Sequence, residues 1–114
     1  MPPARRVRII WSPLALQRIE SIALEIAGDR PAAADRWVRS IFARAKQLSA
    51  YPASGRPVPE FARPDLRQLP HPPYRLIYRR ETARVVILTV RHGRQALDPR
   101  EMLDRDTPSR QADV

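Results

Sequence analysis

G-R-P-V-P-E at residues 55–60, followed by R-Q-L-P-H-P-P-Y-R-L-I-Y-R-R-E-T-A-R-V-V-I-L-T-V-R-H-G-R at residues 67–94, is the stretch that decides the fold. Within it, Tyr74, Leu76 and Tyr78 alternate with Arg75, Ile77 and Arg79, the period of a half-buried strand over Tyr74–Arg80. Glu81–Arg84 breaks the pattern and reads as a turn. Val85–Arg91 is almost wholly apolar and β-branched, as a central strand covered on both faces should be. Residues 51–73 hold seven of the 13 prolines, so that segment reads as a loop with one short strand at Leu66–Leu69. Arginine flanks or threads each apolar run. Guanidinium groups at fixed spacing on a sheet suit phosphate or carboxylate partners.

Upstream, Val7, Ile9 and Trp11 alternate with Arg8 and Ile10, which predicts a first strand over Val7–Trp11. Ser12 is a good N-cap and Pro13 suits the first helical position. Ala15, Ile19, Ile22, Ala23 and Ile26 follow at helical spacing, and Gly28 is expected to close that helix in the left-handed conformation. Asp29 is expected to cap a second helix with Pro31 in its first turn. Ala34, Trp37, Val38, Ile41, Phe42, Ala45 and Leu48 then form the strongest apolar stripe in the chain, with Arg36, Arg39, Arg44 and Lys46 largely off it. The short link predicts an antiparallel hairpin. Its stripe should pack on a sheet face bearing Val86, Leu88 and Val90 or their alternates. The order β-α-α-β-β-β gives an α+β fold, a helical hairpin on a small sheet rich in antiparallel pairs.

A chain of 114 residues is enough for one domain. Residues 1–95 read as that domain, and 96–114 as an extension with a short helix near Pro99–Leu103 and a frayed end. The net charge is +9 and the pI about 11.4, which favours an acidic protein or a nucleic acid as partner. Twenty of the 21 basic residues are arginine. The excess is local: residues 63–94 hold eight arginines against Asp65 and Glu81, a net of +6, whereas residues 95–114 carry a net of −2. The chain has no cysteine, no apolar run of membrane-spanning length and no signal-peptide pattern at its start, so a cytoplasmic protein without membrane contact is expected. No metal spacing, Gly-rich phosphate loop or Ser/His/Asp set is visible, and no cofactor is expected.

The ordered set Trp11-Ser12, Leu48 with Pro52 and Gly55-Arg56, Arg67-Gln68-Leu69, Tyr74–Tyr78 and Val90–Arg94 resembles the RelE/ParE superfamily of small bacterial toxins, over roughly residues 7–95. The resemblance implies the toxin of a type II toxin–antitoxin module, of the plasmid-stabilisation type. A small, acidic, partly disordered antitoxin would wrap and neutralise it. It also implies one of two targets: mRNA on the ribosome for the RelE-like branch, DNA gyrase for the ParE-like branch. Metal-independent RNA cleavage needs a base, cations for the phosphorane and an acid. Glu60 as base, Arg67 and Arg75 as clamps and His92 as acid are the candidates, Glu60 and Arg75 lying where some RelE-like nucleases carry Glu and Arg. Those nucleases often end their last strand at a Tyr or His. Here H-G-R is followed by 20 further residues, which looks closer to the ParE-like branch, where the toxin binds gyrase and does no chemistry. Partner binding is then expected at Arg67, Arg75, Arg79, Arg91 and Arg94. Trp11, Trp37, Tyr74 and Tyr78 are expected in or beside the core, and His71 in a loop.

Overall fold

The computed structural model describes residues 6–103. Strand β1 (Arg8–Trp11) leads into helices α1 (Pro13–Ala27) and α2 (Pro31–Lys46), the second extended by a 3-10 turn at Gln47–Ser49. Strands β2 (Arg56–Pro57), β3 (Leu66–His71), β4 (Tyr74–Arg80) and β5 (Arg84–His92) follow, then a second 3-10 turn at Pro99–Met102. The strands form one sheet in the order β1-β5-β4-β3-β2. The β1–β5 pair is parallel and the other three are antiparallel. This is the expected α+β architecture, with β2 added. Two residues, one of them proline, carry no period, and only their pairing with Gln68 and Arg67 makes them a strand. Strand β3 runs past Leu69 to His71 because Pro70 faces the open edge, where no ladder donor is needed. There the Pro70 carbonyl accepts from Arg44 Nε at 2.9 Å.

Ser12 caps α1: its Oγ accepts from the Ala15 N–H at 3.0 Å and donates to the Leu88 carbonyl at 2.9 Å. That carbonyl lies at a slip in the β4–β5 register, where Tyr78 faces Ile87 and Ile77 faces Thr89, leaving Leu88 unpaired. A bulge therefore supplies the acceptor that ties the first helix to the central strand. The helical hairpin forms as expected, but both of its inner caps differ. Gly28 is right-handed (φ −45°, ψ −48°), and the N-cap of α2 is Arg30, without a side-chain cap. Pro31 fixes the first turn, so Asp29 sits one residue too early to cap it.

Each sheet face carries its own core. On the helix side, Ile41, Ala45 and Leu48 pack with Val85, Ile87, Val90, Leu76 and Tyr78, and Trp37, Val38 and Phe42 cover the rim. The sheet partners are thus Val85 and Ile87, the alternates of Val86 and Leu88. Trp11 meets Phe42 with ring centroids 4.6 Å apart. On the other face, Val86, Leu88, Ile10, Ile77 and Leu66 are covered by Val58 and Phe61 and by Leu97 and Met102 from the segment after β5. Every residue from Val85 to Val90 is buried, as a strand covered twice must be. No helix among the described residues is long and apolar enough to cross a membrane.

Two glycines separate conformational need from spatial need. A Cβ on Gly28 would touch Glu25 O at an ordinary 3.5 Å, whereas one on Gly55 would lie 2.7 Å from both Gln68 O and Tyr78 Oη. Gly28→Ala should raise stability by about 0.4–1 kcal/mol. Gly55→Ala should lower it by about 1–3 kcal/mol. Ile41, fully enclosed, should cost about 2–5 kcal/mol on replacement by alanine. Urea denaturation of the three variants checks the order.

Candidate functional site

Arginine chemistry dominates the surface, and the fold spends much of it internally. Arg67 projects from β3 onto the loop before β2, where its NH1 donates to Gly55 O at 3.0 Å and Ala53 O at 3.4 Å. Tyr78 fastens the same loop from β4: its Oη accepts from the Gly55 N–H at 2.9 Å and donates to Pro52 O at 2.8 Å. Pro52, Gly55, Arg67 and Tyr78, spread through the sequence, thus meet in one latch that is buried at Gly55 and Tyr78.

Arg75 lies on the opposite face of β4 and is itself nearly buried. Its NH1 and NH2 grip Glu60 Oε1 and Oε2 at 3.1 and 2.6 Å, and donate at 2.9 Å to Gln68 Oε1 and the Gln95 carbonyl. The hydrogen bonds from Arg75 hold the Glu60 carboxyl below its ordinary 4.5, against a smaller opposing effect of burial. Glu60 is the carboxylate partner of Arg75 at neutral pH, and that pairing lowers its basicity. Arg79 donates to Glu81 at 2.8 Å. Arg91 donates to the Ala96 carbonyl at 3.2 Å and reaches Glu101 Oε2 at 3.4 Å, which also takes Arg18 NH2 at 2.8 Å. Nothing in the sequence pattern marks Glu101; only folding of the segment after β5 back onto the sheet brings it to Arg18 and Arg91.

Among the described residues the Arg56 and Arg94 side chains make no hydrogen bond or ion pair, and both are exposed. They border a hollow of about 400 Å³ with Arg75, walled by Pro70, Pro72 and Pro73 and reaching Tyr74 and His92. His92 does not meet Glu60: its Nδ1 accepts from the Arg94 N–H at 3.2 Å, and its ring stands edge-on to Tyr74 at 5.8 Å. The structure therefore brings Arg75, His92 and Arg94 to one hollow, with Glu60 tied to Arg75. It places Arg67, Arg79 and Arg91 in other contacts. Arg56 and Gln68 also line that hollow. Both belong to segments that carry the family resemblance, but neither residue type nor spacing assigns them to a site. His71 lies on β3 rather than in a loop, with Nε2 2.8 Å from Ser40 Oγ, whose hydroxyl donates to Trp37 O. Among the described residues no group of three or more His, Asp or Glu side chains could hold a metal.

A sequence model of the ParE toxin of the type II toxin–antitoxin system, parDE, matches residues 9–97. The chain belongs to the ParE toxin family. It is 41% identical over 93 residues to "Putative toxin Y4kP" of Sinorhizobium fredii (strain NBRC 101917 / NGR234), covering 79% of this chain and 92% of that protein. A solved structure described as the chromosomal ParDE TA system from P. aeruginosa shares the fold, with a TM-score of 0.66 at 20% identity over 76% of this chain and 96% of that one. As a ParE toxin of a two-part module, this protein has a cognate antitoxin as its partner.

The Glu60–Arg75 pair fixes a pH dependence. A carboxyl held below its unfolded value contributes stability that is full above about pH 4.5 and is lost as pH falls through the lower folded value. The gap in melting temperature between the wild type and Glu60→Gln should therefore be widest near neutrality and close as the pH drops below 4.5.

Proposed function

We propose that this ParE toxin acts by binding DNA gyrase and stalling its DNA-cleaved state, without chemistry of its own, and that a small acidic antitoxin neutralises it. The observation that carries this reading is the bidentate Glu60–Arg75 pair. A general base must be free to accept a proton, and Glu60 instead holds a nearly buried guanidinium. Arg67, the other candidate clamp, is spent on the Ala53 and Gly55 carbonyls. Of the set an RNA-cleaving toxin would need, Glu60, Arg67 and Arg75 are engaged in contacts within the protein, which supports the reading without chemistry. Family membership supports the choice of branch.

Purified toxin added to gyrase and plasmid should inhibit supercoiling and accumulate cleaved DNA. On induction in cells, DNA synthesis should stop before protein synthesis. Glu60→Gln and His92→Ala, once shown to fold, should leave toxicity within about threefold of wild type, because no proton transfer is lost. Cleavage of mRNA on translating ribosomes that falls about 10²–10³-fold on Glu60→Gln would instead establish the ribosome-dependent endonuclease.

A further inference from the structure

The hollow bordered by Arg56 and Arg94 does not stop at His92. A second hollow, of about 320 Å³, lies along α1 at Arg18, Ser21, Ile22 and Glu25, and shares Tyr74 and His92 with the first. The two adjoin at that ring pair and together form a trough-like surface from the β2–β3 edge past the ends of β4 and β5 to the flank of α1. Its floor is fixed. Trp37 stands edge-on to Tyr74 at 5.3 Å, Tyr74 to His92 at 5.8 Å, and the Gly93 N–H donates to Pro73 O at 2.8 Å.

The lining selects an occupant. Arg56 and Arg94 are the cations of the first hollow without a partner among the described residues, and Pro70, Pro72, Pro73 and Tyr74 supply most of its apolar lining beside Gln68, Arg75 and His92. Two free guanidinium groups astride an apolar floor suit carboxylates that flank an apolar side chain, an alternation an extended peptide provides. A nucleic-acid strand fits less well: it needs cations that track its phosphates, and the α1 end of the trough presents Glu25. Such a strand would gain two free arginines and meet three prolines and the Glu25 carboxylate along the way.

We propose that this trough is the docking site for an extended acidic segment of the antitoxin, with carboxylates on Arg56 and Arg94 and an apolar residue over Tyr74 and the prolines. The proposal rests on the neutralisation reading above and adds the place and the chemistry. In it, Arg67 and Arg91, which the arginine pattern nominates alongside Arg94, are not contact residues.

The test uses the full-length toxin and, as probe, the full-length protein encoded beside it, by titration calorimetry at fixed salt. Arg56→Glu/Arg94→Glu should bind at least about 10²-fold more weakly, the scale expected for reversing two contacting charges. Arg36→Glu/Arg39→Glu, which makes the same charge change on the exposed face of α2, should bind within about threefold of wild type. Both pairs are exposed, so melting temperatures should not move. Equal weakening by the two double variants would reduce the effect to net charge and overturn the proposal. Unchanged binding by the Arg56/Arg94 variant would also overturn it while leaving neutralisation standing. A wild-type toxin that ignores the neighbouring protein would remove the neutralisation reading itself. A single-stranded oligonucleotide that needs Arg56 and Arg94, while the neighbouring protein does not, would reassign the trough to nucleic acid.

Discussion

Strand β5 is bonded on both edges and covered on both faces, and the rest of the protein is arranged around that constraint. Its parallel neighbour β1 can reach it only after the chain has crossed the helical hairpin. A regular strand buried so completely offers no spare polar group. The register slip at Leu88 provides one carbonyl, and Ser12 takes it while capping α1. One irregularity in the sheet thus anchors the start of the first helix to the central strand. The face away from the helices has to be covered too, and Leu97 and Met102 help to do that. The segment after β5 is therefore packed against the sheet through Met102, and it carries Gln95, Ala96 and Glu101 to the arginines on β4 and β5.

A net charge of +9 suggests a surface crowded with available cations, but the fold uses many of them. Arg67 completes the latch on the proline-rich loop, Arg75 gathers Glu60, Gln68 and the Gln95 carbonyl, and Arg91 shares Glu101 with Arg18. Guanidinium suits this work because its planar fork satisfies several carbonyl and carboxylate oxygens at once, where an ammonium would act as a point charge. In a chain this small, with a long loop rich in proline and short of regular hydrogen bonds, arginine replaces part of the missing ladder. What is left for a partner is a smaller set, with Arg56 and Arg94 together at the trough. The distinction separates arginines held by contacts within the protein from those left exposed.

Much of the fold was legible in the residues. The stripe from Ala34 to Leu48, the Ser12-Pro13 helix start, and the contrast between alternating Tyr74–Arg80 and continuous Val85–Arg91 are local signals, each carried by side chains within a few positions of one another. The exceptions also have local causes. Gly28 permits a left-handed cap without requiring one, and Asp29 competes with the stronger constraint of Pro31. Strand β2 is too short to show a period, and β3 hides Pro70 because the part of β3 beyond its pairing with β2 has an open edge that tolerates it.

The sequence by itself determined the element order, the apolar faces, the excess of arginine on the sheet and the resemblance to one toxin superfamily, because periodicity, capping and composition act over short stretches of chain. Only the tertiary structure decided which arginines are free. That Arg67 donates to the Gly55 carbonyl, and that Glu60 is the counter-ion of Arg75, depends on groups 12 and 15 residues apart in the chain. A guanidinium looks the same in a sequence whatever it meets. Its role is fixed by which oxygens the folded chain brings within about 3 Å of it.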